Sequence, residues 1–138
     1  MALCAFGMNA CSPVPKTVPP NLSVAEAIPS AWPAPLSKAP GERPVIQAMR
    51  FSSLEPRLGT NWNGDFLVST NTASVEVIGV NIFSFSTPHV GNGRFHFQFH
   101  LIDVPPFFVR TYDLRVIARN VAGDATEEDV PFQIRGRE

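Results

Sequence analysis

The 138 residues suffice for one domain of ordinary size and are few for two. The formal net charge is −1 and the arginines are scattered among acids, which argues against nucleic-acid binding, because a phosphate-tracking groove needs clustered positive charge. Most of the 14 prolines precede residue 45 and most of the 11 phenylalanines follow residue 50, so the chain divides into a leader, 1–43, and a body, 44–138.

The leader opens with MALCAFGMNAC, apolar and uncharged. It is shorter than the roughly 20 residues of a membrane-spanning helix and lacks the basic start of a signal peptide. Its end, Met8-Asn9-Ala10-Cys11-Ser12, resembles a bacterial lipobox. Ala10 and Cys11 fit that motif; Met8 and Asn9 depart from it. The resemblance implies lipidation at Cys11, with Met1 an internal start and the signal beginning upstream. The alternative is a cytosolic N-terminus with two free thiols. Both cysteines lie in the leader, so the body has no disulfide framework. The proline-rich run that follows favours extended polyproline II and reads as a semi-rigid tether. Ser23 to Glu26 has the spacing of a capping box, and Pro29 ends any helix there.

The body reads as seven strands. Pro44 to Phe51 is the first and Asp65 to Thr70 the second, with "GTNWNG" (59–64) as a turn between them. Ser74 to Val80 is the third and Asn81 to Thr87 the fourth. Asn92-Gly93 is a tight-turn signal. The fifth strand, Arg94 to Val104, alternates Phe95, Phe97, Phe99 and Leu101 with Arg94, His96, Gln98 and His100. Burial of each phenylalanine contributes about 1.5–3 kcal/mol and fixes the register. Tyr112 to Asn120 is the sixth, and Glu127 to Arg135 the seventh. Pro131 removes a ladder donor and places the seventh strand at an edge or a bulge.

His96 and His100 invite a metal reading. On a helix, residues four apart can share an ion; on a strand they lie about 13 Å apart. Ligands sit about 2 Å from zinc, so no shared metal is expected. Asp124, Glu127, Glu128 and Asp129 could in principle hold calcium; charges that deter edge pairing explain them equally. No G-x-S-x-G elbow or phosphate loop is present, and no pattern calls for a cofactor.

Residues 111–134, TYDLRVIARNVAGDATEEDVPFQI, resemble the last two strands of immunoglobulin-like and fibronectin-type-III-like domains. Tyr112, Leu114, Val116, Ala118, Asn120 and Gly123 fill the pattern, and Tyr112 takes the tyrosine-corner place. Two features depart from the antibody type: no cysteine pair exists, and Trp62 stands beside the second strand. The resemblance implies a cysteine-free bacterial domain, an all-β, seven-stranded antiparallel immunoglobulin-like sandwich behind an extended leader. Binding in such sandwiches usually lives in loops. Asn71, His89, Asn92 and Asn120 gather at one end and are the candidate binding residues. The opposite end carries Trp62 and Pro105 to Phe108, as core plug or as contact patch.

The function expected by analogy is a non-catalytic module, exported to the cell envelope or secreted, binding a protein or glycan. It would touch a membrane only through lipid on Cys11. The rivals are a structural subunit assembling through a sheet edge, a cytoplasmic β-sandwich protein and an enzyme. The oligomeric state is not written in the sequence.

Overall fold

A computed structural model describes residues 18–79, 83–101 and 111–136. These residues are all-β and form nine strands: β1 (Leu22–Val24), β2 (Ile46–Phe51), β3 (Asn61–Val68), β4 (Ser74–Gly79), β5 (Phe83–Ser86), β6 (His89–Gly91), β7 (Arg94–His100), β8 (Thr111–Arg119) and β9 (Ala125–Gln133). They build a five-stranded sheet, β1-β2-β3-β7-β6, and a four-stranded sheet, β5-β4-β8-β9.

The expected count of seven is corrected in two places. The expected fourth strand, 81–87, contains β5, which pairs with β4, and a further strand not expected from the sequence, His89–Gly91, follows it and pairs with β7 in the other sheet. Pro88 lies between them, where the chain changes sheets. The leader supplies the other addition, because β1 pairs with β2 in parallel, Leu22 opposite Met49 and Val24 opposite Phe51. Ser23 is therefore a strand residue and not a helix cap. Among the described residues the other strand pairs are antiparallel, and one isolated parallel bridge joins Arg57 and Arg135.

The "GTNWNG" turn is also corrected. β3 begins at Asn61, and Trp62, Gly64, Phe66 and Val68 continue one buried face. Gly64 serves close approach within the strand. A Cβ there would meet the Phe97 ring at 2.5 Å and the Arg50 carbonyl at 2.8 Å. Gly64→Val is expected to destabilise the domain by about 1–3 kcal/mol through overpacking, read by urea denaturation. The Asn92-Gly93 turn is found: Gly91 pairs with Arg94, and Gly93 has φ 67°.

The inner faces interdigitate through aromatic rings. Trp62 of the first sheet stacks on Phe132 of the second at 5.4 Å and 5°. Phe97 meets Trp62 edge-on at 5.1 Å and Phe85 at 5.4 Å. Trp62 is fully buried, so that aromatic is core and not a contact patch; Pro105 to Phe108 lie outside the described residues. Tyr112 is buried with its ring 5.8 Å from Phe132. The segment toward which its hydroxyl was expected to bond, 102–110, also lies outside the described residues. Pro131 sits on β9, an edge strand.

The described leader is docked on the body and is not a free tether. Parallel strands need a long crossover, and residues 25–45 provide it without a helix. A bulge between Ile46 and Ala48 re-aims Gln47 toward the crossover. There the Gln47 amide accepts from Leu36 N–H at 2.6 Å and donates to the Ala34 carbonyl at 3.4 Å. Leu67 and Ala48 share the outer face of the first sheet, yet both are buried apart from the main core. Pro35 packs against Gly93 on this side.

Candidate functional site

The loop end carries the four residues expected to bind. Asn71 follows β3; its amide donates to the carbonyls of Ala39 at 2.9 Å and Glu42 at 2.6 Å, while its oxygen accepts from the Ser69 hydroxyl. Asn120 ends β8 and is 3% exposed; its amide also donates to the Glu42 carbonyl, at 2.8 Å. The same side chain bridges its own turn, accepting from Asp124 N–H at 2.9 Å and donating to Asp124 Oδ2 at 3.1 Å. The structure thus brings Asn71 and Asn120 together on one leader carbonyl, where both amides are engaged. His89 and Asn92 lie on the β6–β7 hairpin and are exposed, the His89 ring resting 5.0 Å from Phe95. Cys11 lies outside the described residues.

The four acids considered for calcium diverge. Glu127 and Asp129 flank Arg115 at 3.5 and 3.3 Å, Glu128 accepts from Asn21, and Asp124 belongs to the Asn120 turn. No group of three or more His, Cys, Asp or Glu is arranged to hold a metal ion among the described residues.

Sequence reasoning missed a polar cluster on the outer face of the first sheet. β2, β3 and β7 set Arg50, Asp65 and His96 side by side in register. The Arg50 guanidinium is almost wholly buried, with its side chain 3% exposed. It donates through Nε to Asp65 Oδ2 at 2.7 Å, through Nη2 to the same oxygen and to Asn63 Oδ1, and through Nη1 to the Ala25 carbonyl at 2.7 Å. The other Asp65 oxygen accepts from His96 Nδ1 at 2.9 Å. A carboxylate only accepts, so this bond puts the proton on Nδ1 and leaves Nε2 as the outward acceptor of the neutral ring. Four residues along β7, His100 Nδ1 pairs with Asn61 Oδ1 at 2.9 Å. His96, Gln98 and His100 therefore form a polar strip in which each imidazole is held by its own partner on β3. The signal available in the sequence was the period-two placement of Asp65; its partners depend on the register of two pairings.

Chemically, the charged pair is buried and mutually satisfied, while the strip beside it runs from half-buried His96 to exposed Gln98 and His100. At about 13 Å apart along the strand, the two imidazoles offer separate hydrogen-bonding groups and no common ligand set. At the other end of the sandwich, a surface hollow of about 230 Å³ is lined by Leu54, Glu55, Thr111, Pro131, Phe132 and Gln133. Its one carboxylate, Glu55, is taken by Arg135.

No protein-family model matches the chain, and no curated protein matches it. Among solved structures, an engineered protein determined at 1.98 Å aligns with a TM-score of 0.41 and 17% identity, over 72% of this chain and 21% of that one. The chain thus spans about a fifth of that protein's length.

Proposed function

We propose that this chain is a non-catalytic, immunoglobulin-like interaction module of the cell envelope that binds a protein or glycan through the outer face of β7. The strand order supports the immunoglobulin-like part. With β2 to β9 taken as A, B, C, C′, D, E, F and G, the sheets read A-B-E-D and C′-C-F-G, close to the constant-type arrangement. β1 is then an addition outside that scheme.

One observation carries the binding reading: in the strip His96, Gln98, His100 the last two residues are exposed and His96 is half-buried, and both imidazoles are held at Nδ1. Groups held in place lose little entropy on binding. The loop amides first considered, Asn71 and Asn120, are already engaged by the leader. The triple variant His96→Ala, Gln98→Ala, His100→Ala tests this. Wild type and variant are immobilised at matched folded fraction and exposed to a glycan panel and to envelope proteins. The expected result is at least one ligand retained tenfold better by the wild type, about 1.4 kcal/mol. Identical retention by both would remove the strip from the account.

The envelope location rests on the Ala10-Cys11 match. Because docking begins near Asn21, ten residues beyond Cys11, a lipidated chain would hold the sandwich within about 35 Å of its anchor. Lipid labelling that disappears with Cys11→Ser is expected. An unlabelled wild type, expressed with its native upstream region, would refute it.

A further inference from the structure

The docked leader is recognised chiefly through its backbone. Leader carbonyls accept from six body groups: Asn21 from Met49 N–H, Ala25 from Arg50, Ala34 from Gln47, Leu36 from Thr70 N–H, Ala39 from Asn71, and Glu42 from both Asn71 and Asn120. Proline has a carbonyl and no N–H, and the described leader contains prolines at 19, 20, 29, 33, 35 and 40. Along this track the non-proline residues also donate: Ala25 N–H to the Phe51 carbonyl, Leu36 N–H to Gln47, Lys38 N–H to Thr70 and the Asn21 amide to the Ile46 carbonyl. Leu67 and Ala48, paired across β2 and β3, are buried yet lie outside the main core.

The arm joins the body through one turn, Ala39 to Glu42, closed by Glu42 N–H on the Ala39 carbonyl at 3.0 Å. Pro40, Gly41 and Glu42 are exposed, and Gly41 has open space around it. Opening this turn would free residues 18–39 as a unit, β1 included, and the core contact made by Leu22 would be remade only when an arm docks again.

We infer that the track on the outer face of the first sheet is a binding site for the arm of a second copy of this chain, and that copies assemble by exchanging arms about the Ala39–Glu42 turn. The occupant is a second copy because the segment seen on the track is this chain's own, and every copy carries an identical one. Exchange of an identical element remakes the same bonds in trans, so little free energy separates the closed monomer from the exchanged dimer except the effective concentration of the tethered arm. That concentration is on the order of millimolar for short connections. This inference is independent of the β7 strip.

Lys38 N–H bonds Thr70 Oγ1 at 3.2 Å, so these positions report the docking. In full-length chains with Cys4→Ser and Cys11→Ser, one chain carries Lys38→Cys and another Thr70→Cys. The two are unfolded together, refolded at a series of concentrations and treated with a short bismaleimide. A chain with both substitutions reports docking in cis. The expected result is a cross-linked pair joining the two different chains. Its yield rises with concentration toward about 1 mM and falls on dilution, while the doubly substituted chain closes on itself when dilute. Two results would overturn the inference. One is closure in cis at every concentration, with no mixed pair above a Val121→Cys control. The other is no closure in cis at all, which would mean that the arm does not occupy the track.

Discussion

Asp65→Ala is expected to destabilise the protein by about 3–5 kcal/mol, the usual cost of leaving one member of a buried ion pair without its partner. The consequence is severe because total stabilities are only about 5–15 kcal/mol. Arg50 cannot relieve the loss by giving up a proton, and its remaining acceptors, Asn63 and the Ala25 carbonyl, are neutral. The docked leader weakens with it, since Ala25 is bonded to the same guanidinium. The double variant Arg50→Met, Asp65→Leu separates charge burial from packing. It is expected to recover most of the loss, because replacing both charges by apolar groups is often neutral or stabilising. Guanidinium denaturation followed by tryptophan fluorescence measures all three proteins. A loss below 1 kcal/mol for Asp65→Ala would mean that Arg50 is not buried as described.

Trp62→Ala is expected to cost about 3–5 kcal/mol. The indole lies between Phe132 on the opposite sheet and Phe51 on the neighbouring strand, with Phe97 edge-on at 5.1 Å. Its Nε1 also donates to the Ser53 carbonyl at 2.8 Å and so anchors the chain after β2. Truncation leaves a cavity between the sheets and a carbonyl without its donor. Trp62→Phe keeps most of the stacking and loses the bond, an expected cost of about 1–2 kcal/mol. Binding of a hydrophobic dye by the alanine variant, with β-signal retained, would report loosened packing across the sheets.

The strands that alternate cleanly were legible because alternation and burial are the same fact in a half-buried strand. β7 and β8 follow the sequence pattern closely for this reason. β3 was cut short because Gly64 and the flanking asparagines carry turn chemistry; the cause of the glycine, the Phe97 ring, sits on another strand. β6 was hidden because its three residues stand between Pro88 and the Asn92-Gly93 turn, where turn chemistry masks so short a strand. The leader was misread for a physical reason. Proline removes donors, which suggests an unpaired tether, but the residues between the prolines keep their carbonyls and N–H groups, and the body supplies partners for them. The same blind spot affected Asn71 and Asn120. Their position in loops was legible, while their acceptor, Glu42, lies 29 and 78 residues away in sequence. The Arg50–Asp65–His96 set needed the registers of β2 on β3 and of β3 on β7 together, which no local pattern encodes.

Amide hydrogen exchange of the full-length chain, resolved by residue, tests most directly whether the proline-rich leader is part of the folded domain. Ala25 N–H on the Phe51 carbonyl, Leu36 N–H on Gln47 and Lys38 N–H on Thr70 are the reporters. The account predicts that these three exchange far more slowly than unstructured peptide, with Ala25 approaching the amides of β2. Exchange at unstructured rates throughout 18–43, beside a protected body, would contradict it: the leader would be a tether, the amides of Asn71 and Asn120 would be free to bind, and the arm would have no track to share.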